Sequence, residues 1–135
     1  MTRPMIFETA QRDDICVVRI GGRLATGADA DCLRMKAQEI KSLGCRTVIA
    51  DIRELDSIGS EGLGFFVDLY TSMTKDTAGR FVLAGPSPRV LEVLALTGLS
   101  MKIPIVEDLA AGLTYCVQEE NKVRDAQSGL NVIFL

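Results

Sequence analysis

Apolar and polar positions along this chain change their period several times, and each change marks an element. Met5 to Thr9 reads as a strand, Gln11 to Asp14 as a polar turn, and Ile15 to Ile20 as a second strand closed by Gly21 and Gly22. The intervening turn is short, which predicts an antiparallel hairpin. From Ala28 to Leu43 the apolar residues Leu33, Ala37 and Ile40 recur at helical spacing, and Gly44 is placed to cap the helix. Thr47 to Ile52 is nearly all apolar, the pattern of a central strand covered on both faces.

A second helix is predicted from Ser60 to Met73. Leu63, Phe66, Val67 and Tyr70 form one face at i, i+3, i+4 and i+7, facing the sheet. Phe65 and Leu69 widen that stripe beyond what one sheet contact needs. Phe81 to Ala84 is the next strand. Ser87 then serves as N-cap with Pro88 at the first helical position, and this third helix stops near Gly98. Ile103 to Val106 is a last strand, which Pro104 assigns to a sheet edge. A final helix carries Leu109, Leu113 and Cys116 on one face.

The order β-β-α-β-α-β-α-β-α predicts an α/β fold: a mixed sheet of about five strands flanked by four helices, with right-handed crossovers. Residues 1–117 form the domain, and residues 118–135 a C-terminal extension, polar from Gln118 to Ser128 and apolar from Asn131 to Leu135. Val132 to Leu135 is apolar enough to pack on its own sheet or, in a homodimer, on a second copy. Disorder is the alternative.

Composition narrows the function. With 135 residues, 47% of them hydrophobic, the chain suits one domain with one core. A net charge of -3 and a pI near 5.0 offer no basic surface to a phosphate backbone, so direct nucleic-acid binding is not expected. No apolar run is long enough to span a bilayer, and Met1 to Ala10 lacks a signal-peptide core; membrane insertion is not expected, and the location expected is cytoplasmic. Cys16, Cys32, Cys45 and Cys116 show no C-x-x-C spacing, which favours reduced, structural thiols over a thiol sensor. Histidine is absent, which removes Ser-His-Asp and Cys-His nucleophile systems and histidine-based metal sites. No cofactor is called for.

The most informative stretch is Asp51 to Phe66, DIRELDSIGSEGLGFF. It joins the buried third strand to the second helix through a loop holding Gly59, Ser60, Glu61, Gly62 and Gly64. Glycines allow a tight turn and the close approach of a partner. The loop ends at a helix N-terminus, whose unpaired N–H groups favour an anion or phosphate. A tight turn with an N-capping serine explains the same residues without any ligand. The spacing matches neither a dinucleotide fingerprint nor a Walker loop.

This segment resembles the signature of the STAS domain, the fold of bacterial anti-sigma factor antagonists. In that family a strand ending in Asp-Leu-Ser leads to an Asp-Ser-Ser-Gly-Leu-Gly turn that opens a helix. Here Asp51-Ile52-Arg53 corresponds to the strand end and Gly59-Ser60-Glu61-Gly62-Leu63-Gly64 to the turn. The likeness extends through Phe81 to Gly85, Val90 to Leu99 and Ile105 to Leu113. Three positions depart from it. The family's regulatory serine, immediately before the glycine, is Glu61 here; the aspartate ahead of the serine pair is Gly59; and the aspartate of a Gly-x-Leu-Asp stretch is Ala25.

The resemblance implies a protein-binding regulator, not an enzyme, that sequesters an anti-sigma factor, often a serine-kinase-like protein, and so promotes sigma-dependent transcription. It implies a partner surface made by Gly59, Ser60, Glu61 and Gly62, by the flank of the second helix including Phe65, and by the loop carrying Arg23 and Thr26. Leu69 and Met73 are candidates for its apolar part, with contact to a neighbouring helix of the same domain as the competing assignment. Ser60 is the candidate phosphosite, one position before the family's. The alternative implied by the same fold is a scaffold or accessory subunit of a stress-signalling or transport complex, binding constitutively. An α/β enzyme or nucleotide-binding protein is disfavoured by the missing histidine and phosphate-binding motifs.

Overall fold

The computed structural model describes residues 6–24, 30–76 and 79–116. Two strands, β1 (Ile6–Arg12) and β2 (Ile15–Leu24), form the expected antiparallel hairpin, with Arg12 opposite Ile15. Asp13 turns the corner at φ 55°, a left-handed conformation that aspartate tolerates better than most residues. Helix α1 (Ala30–Ser42) leads to β3 (Thr47–Asp51), which is buried along its whole length and lies parallel between β2 and β5 (Arg80–Ala84). Helix α2 (Ser60–Asp76) precedes β5. Helix α3 (Pro88–Leu96) follows it, capped by the Ser87 side chain, which accepts from the backbone N–H of Val90 at 3.3 Å. A short 3-10 turn (Leu99–Met101) then reaches β6 (Ile105–Val106), at the sheet edge as Pro104 implied. Helix α4 occupies 109–116.

Among the described residues the sheet has six strands, one more than the approximate five expected. The order is β1-β2-β3-β5-β6, and a further strand, β4 (Leu55–Ile58), pairs in parallel with the far end of β2. Gly21 and Gly22, expected to close β2, lie inside it. The register shifts between Gly22 and Arg23, and Gly22 adopts φ 85°. Such a bulge bends the strand, here away from β3 and onto β4, and only glycine takes that backbone angle without strain.

Helices cover both faces of the sheet. On one face Cys16, Val18, Ile20, Val48, Ala50 and Phe81 meet Leu33, Ala37 and Ile40 of α1, with Phe65, Phe66, Leu69 and Met73 of α2. On the other, Ile49, Val82 and Ala84 pack with Leu109, Tyr115 and Cys116 of α4. The width of the α2 stripe is thereby explained: one edge of it meets the sheet and the other meets α1. Leu69 and Met73 are thus core residues, at most 2% exposed, which corrects the expectation that they supply the apolar part of a partner surface; Phe65, 5% exposed, is also packed into the core but keeps an edge on the α1–α2 flank. The Phe65 ring stands edge-on to Phe7, with centroids 5.6 Å apart.

No disulfide joins any of the four cysteines, all of which lie among the described residues. The expected strand start at Met5, the residues Ala25, Thr26 and Gly27, the domain boundary after 117 and the apolar segment Asn131 to Leu135 lie outside the described residues.

Candidate functional site

The turn between β4 and α2 is built by three converging segments. Leu24, at the end of β2, sits opposite Ile58 in the β2–β4 pairing, and its carbonyl accepts from the N–H of Gly59 at 2.6 Å. The Gly59 carbonyl then accepts from the N–H of Leu63 at 3.0 Å, the first helical hydrogen bond of α2. Gly59 therefore holds the capping position and Ser60 is the first helical residue. The N-capping role considered for Ser60 belongs to Gly59, which is a tolerated cap residue.

Gly62 fixes how closely this turn approaches the sheet. A Cβ there would lie 2.7 Å from Ile58 Cγ1 and 2.8 Å from Leu24 Cβ, too close for any side chain. The inward side of the first helical turn is pressed against the β2–β4 corner, and its neighbours are turned away from the sheet. Ser60 is exposed and Glu61 half-buried. A carboxylate in the first turn of α2 faces the positive end of the helix dipole, a favourable place for it. Arg23, opposite Ser57 in the strand pairing, is exposed on the same side of the fold.

Asp51 and Arg53 anchor the start of the segment. Asp51 is buried at the end of β3, where its carboxylate accepts from Arg53 three times: from the backbone N–H at 3.3 Å, from Nε at 3.1 Å and from a terminal guanidinium nitrogen at 3.2 Å. These bonds hold the guanidinium charged, its pKa raised chiefly by the hydrogen bond to Asp51. Next to it, Arg19 is paired with Glu54 and, at 3.1 Å, with Glu8. Both arginines are engaged in shaping the β3–β4 loop.

A cleft of about 160 Å³ runs between α1 and α2 on the flank of this turn. Leu33, Ala37 and Phe65 line it with apolar surface, while Arg34, Glu61, Gly64 and Asp68 complete it. Asp68 accepts from Lys41 of α1 at 3.0 and 3.2 Å, and Arg34 lies 3.7 Å from Asp31. The cleft is smaller than the roughly 300–1,000 Å³ of small-molecule pockets, so it suits a single side chain better than a nucleotide. Sequence spacing singled out Glu61 and Phe65 but missed Leu33, Arg34, Ala37 and Asp68. Those residues join the site only through the packing of α1 on α2.

Among the described residues no group of histidine, cysteine, aspartate or glutamate is arranged to hold a metal, and no helix is long and apolar enough to cross a membrane. Compared with known proteins, residues 7–112 match the model of the STAS domain. No curated protein sequence matches the chain. Solved structures do. An anti-sigma factor antagonist from Mycobacterium paratuberculosis is 22% identical over 86% of this chain and 98% of that one, with a TM-score of 0.75. A STAS domain protein from Planctomyces limnophilus is 20% identical over 82% and 97% of the two chains, with a TM-score of 0.68. The unphosphorylated form of the anti-sigma factor antagonist SpoIIAA is 23% identical over 74% and 87%, with a TM-score of 0.62.

Proposed function

The chain belongs to the STAS domain family, and on that footing we propose that it is an anti-sigma factor antagonist, a cytoplasmic protein-binding module with no catalytic task of its own. Its solved neighbours include proteins described as such antagonists, which supports the reading. The observation that carries it is the start of α2, where the Gly62 approach to Leu24 and Ile58 fixes Ser60 and Glu61 on the outward side of a rigid corner. The Gly59 hydrogen bond to the Leu24 carbonyl and the β2–β4 pairing hold that corner, so a partner would meet a preorganised surface and lose little entropy in ordering it. The contact would centre on Gly59 to Gly62 and extend to Arg23 and Thr26.

Glu61 favours a second reading. A carboxylate offers no hydroxyl to a serine kinase, so the position that the family uses as a switch carries a fixed carboxylate here. A constitutive binder, such as a scaffold or accessory subunit, needs no more. Ser60 is the remaining hydroxyl at the turn, and its exposure leaves it open to a kinase.

Reconstitution separates the readings. The purified chain is mixed with the kinase-like anti-sigma protein encoded nearest to it, together with that protein's sigma factor, and transcription from a cognate promoter is followed. Release of the sigma factor on addition of the chain is the expected result. A stable complex with no gain in transcription would establish the scaffold reading instead. Incubation with ATP should label Ser60 or nothing, and Ser60→Ala should abolish any label.

A further inference from the structure

We infer that the cleft between α1 and α2 receives an arginine side chain projected by the protein partner. This rests on the reading of the chain as a protein-binding module and specifies what the partner must offer. The cleft has the layout of such a receptor. Its floor is apolar, formed by Leu33 and Ala37 of α1 and by Phe65 of α2, all buried in the core cluster and therefore rigid. One end carries the Glu61 carboxylate, in the first turn of α2. The other end is closed by Asp68, two turns further along the same helix face and bridged to Lys41.

Gly64 forms the open wall between those ends. A Cβ added there meets nothing within 4 Å among the described residues, so none of them fills the space beside it. Glycine in a helix interior is less favourable than alanine, and packing among the described residues gives no reason for it. An approaching side chain gives one.

Arginine fits the charge pattern better than an uncharged or acidic guest. The cations native to the cleft are already turned to carboxylates: Arg34 to Asp31, and Lys41 to Asp68. A carboxylate offers up to four acceptor sites, so Glu61 can take a guanidinium in addition to its own contacts. The fork geometry of a guanidinium suits two parallel hydrogen bonds, and its three-carbon stem can lie along Phe65 and Ala37. Lysine shares the stem but not the fork.

The test uses the whole chain and no protein partner. A ¹⁵N-labelled sample is titrated with n-butylguanidinium at low salt, beside n-butanol (stem alone), guanidinium (head alone) and n-butylammonium. The expected result is saturable shifts at the amides of Leu33, Ala37, Glu61, Gly64 and Phe65, with n-butylguanidinium binding at least about fivefold tighter than the other probes. Glu61→Gln should weaken it by about the same factor. Gly64→Leu should abolish the response while leaving the remaining spectrum folded, because the new side chain occupies the cleft. Shifts that are scattered and unsaturable, or a Gly64→Leu variant that titrates like the original, would overturn the assignment. Failure of the anti-sigma reconstitution would leave this titration unaffected, so the two ideas fail separately.

Discussion

Burial raises the Cys16 thiol from an ordinary 9.0 to about 11, and the neighbouring Cys45 adds to the effect. The Cys45 thiol is raised too, again chiefly by burial. A thiol that ionises less readily folded than unfolded contributes no pH dependence below the unfolded value. As pH climbs from 9 towards 11 the unfolded chain loses its proton first, so folding stability falls. Relative to Cys16→Ala, the native protein should lose on the order of 2 kcal/mol across that window, read as the difference between their denaturation curves at pH 8 and pH 11. Equal pH slopes in the two proteins would contradict it. Sequence alone favoured structural thiols from spacing, but could not say which cysteine faces water. Cys32 does, and the other three are buried, because only the fold decides which side of α1 or β2 points inward.

At the scale of elements, periodicity located the helices and the long strands because each buries a continuous stripe. The same pattern was ambiguous about the centre of the α2 stripe. Sequence placed Phe66 and Val67 together on the sheet face, whereas Phe66 is fully buried and Val67 only half-buried. Phe66 touches the aromatic rings of Phe65 and Phe81, with centroids 5.9 and 6.1 Å away. Phe66→Ala should therefore cost about 3–5 kcal/mol, measured as a shifted denaturation midpoint, while Val67→Ala should cost clearly less. Similar costs would restore the sequence-based centring. β4 escaped the sequence reading for a different reason. Leu55 to Ile58 is four residues long, with Asp56 and Ser57 inside it, and has no strand signal of its own. It is a strand because the bulge at Gly22 brings the end of β2 alongside, a tertiary cause that no local window contains.

For the whole molecule, the motif made the turn legible: Gly59 to Gly64 stood out by composition, and the fold does place it at a strand-to-helix corner. What the motif could not convey is the second half of the site, since the α1 wall of the cleft lies about thirty residues away in sequence. The two halves make the charge at Glu61 testable. In the proposed complex this carboxylate is met by a cation of the partner, in place of the phosphate that other family members add and remove. Glu61→Ser should then weaken calorimetric affinity for the reconstituted partner roughly tenfold at low salt, and less at high salt, where screening shortens the reach of the charge. Ser60→Asp places a second carboxylate beside the first on the exposed side of the helix start. It should weaken binding more than Ser60→Ala, which removes only a hydroxyl. Tighter binding by Glu61→Ser would reverse the assignment, because Glu61 would then act as a built-in counterpart of the phosphorylated, non-binding form.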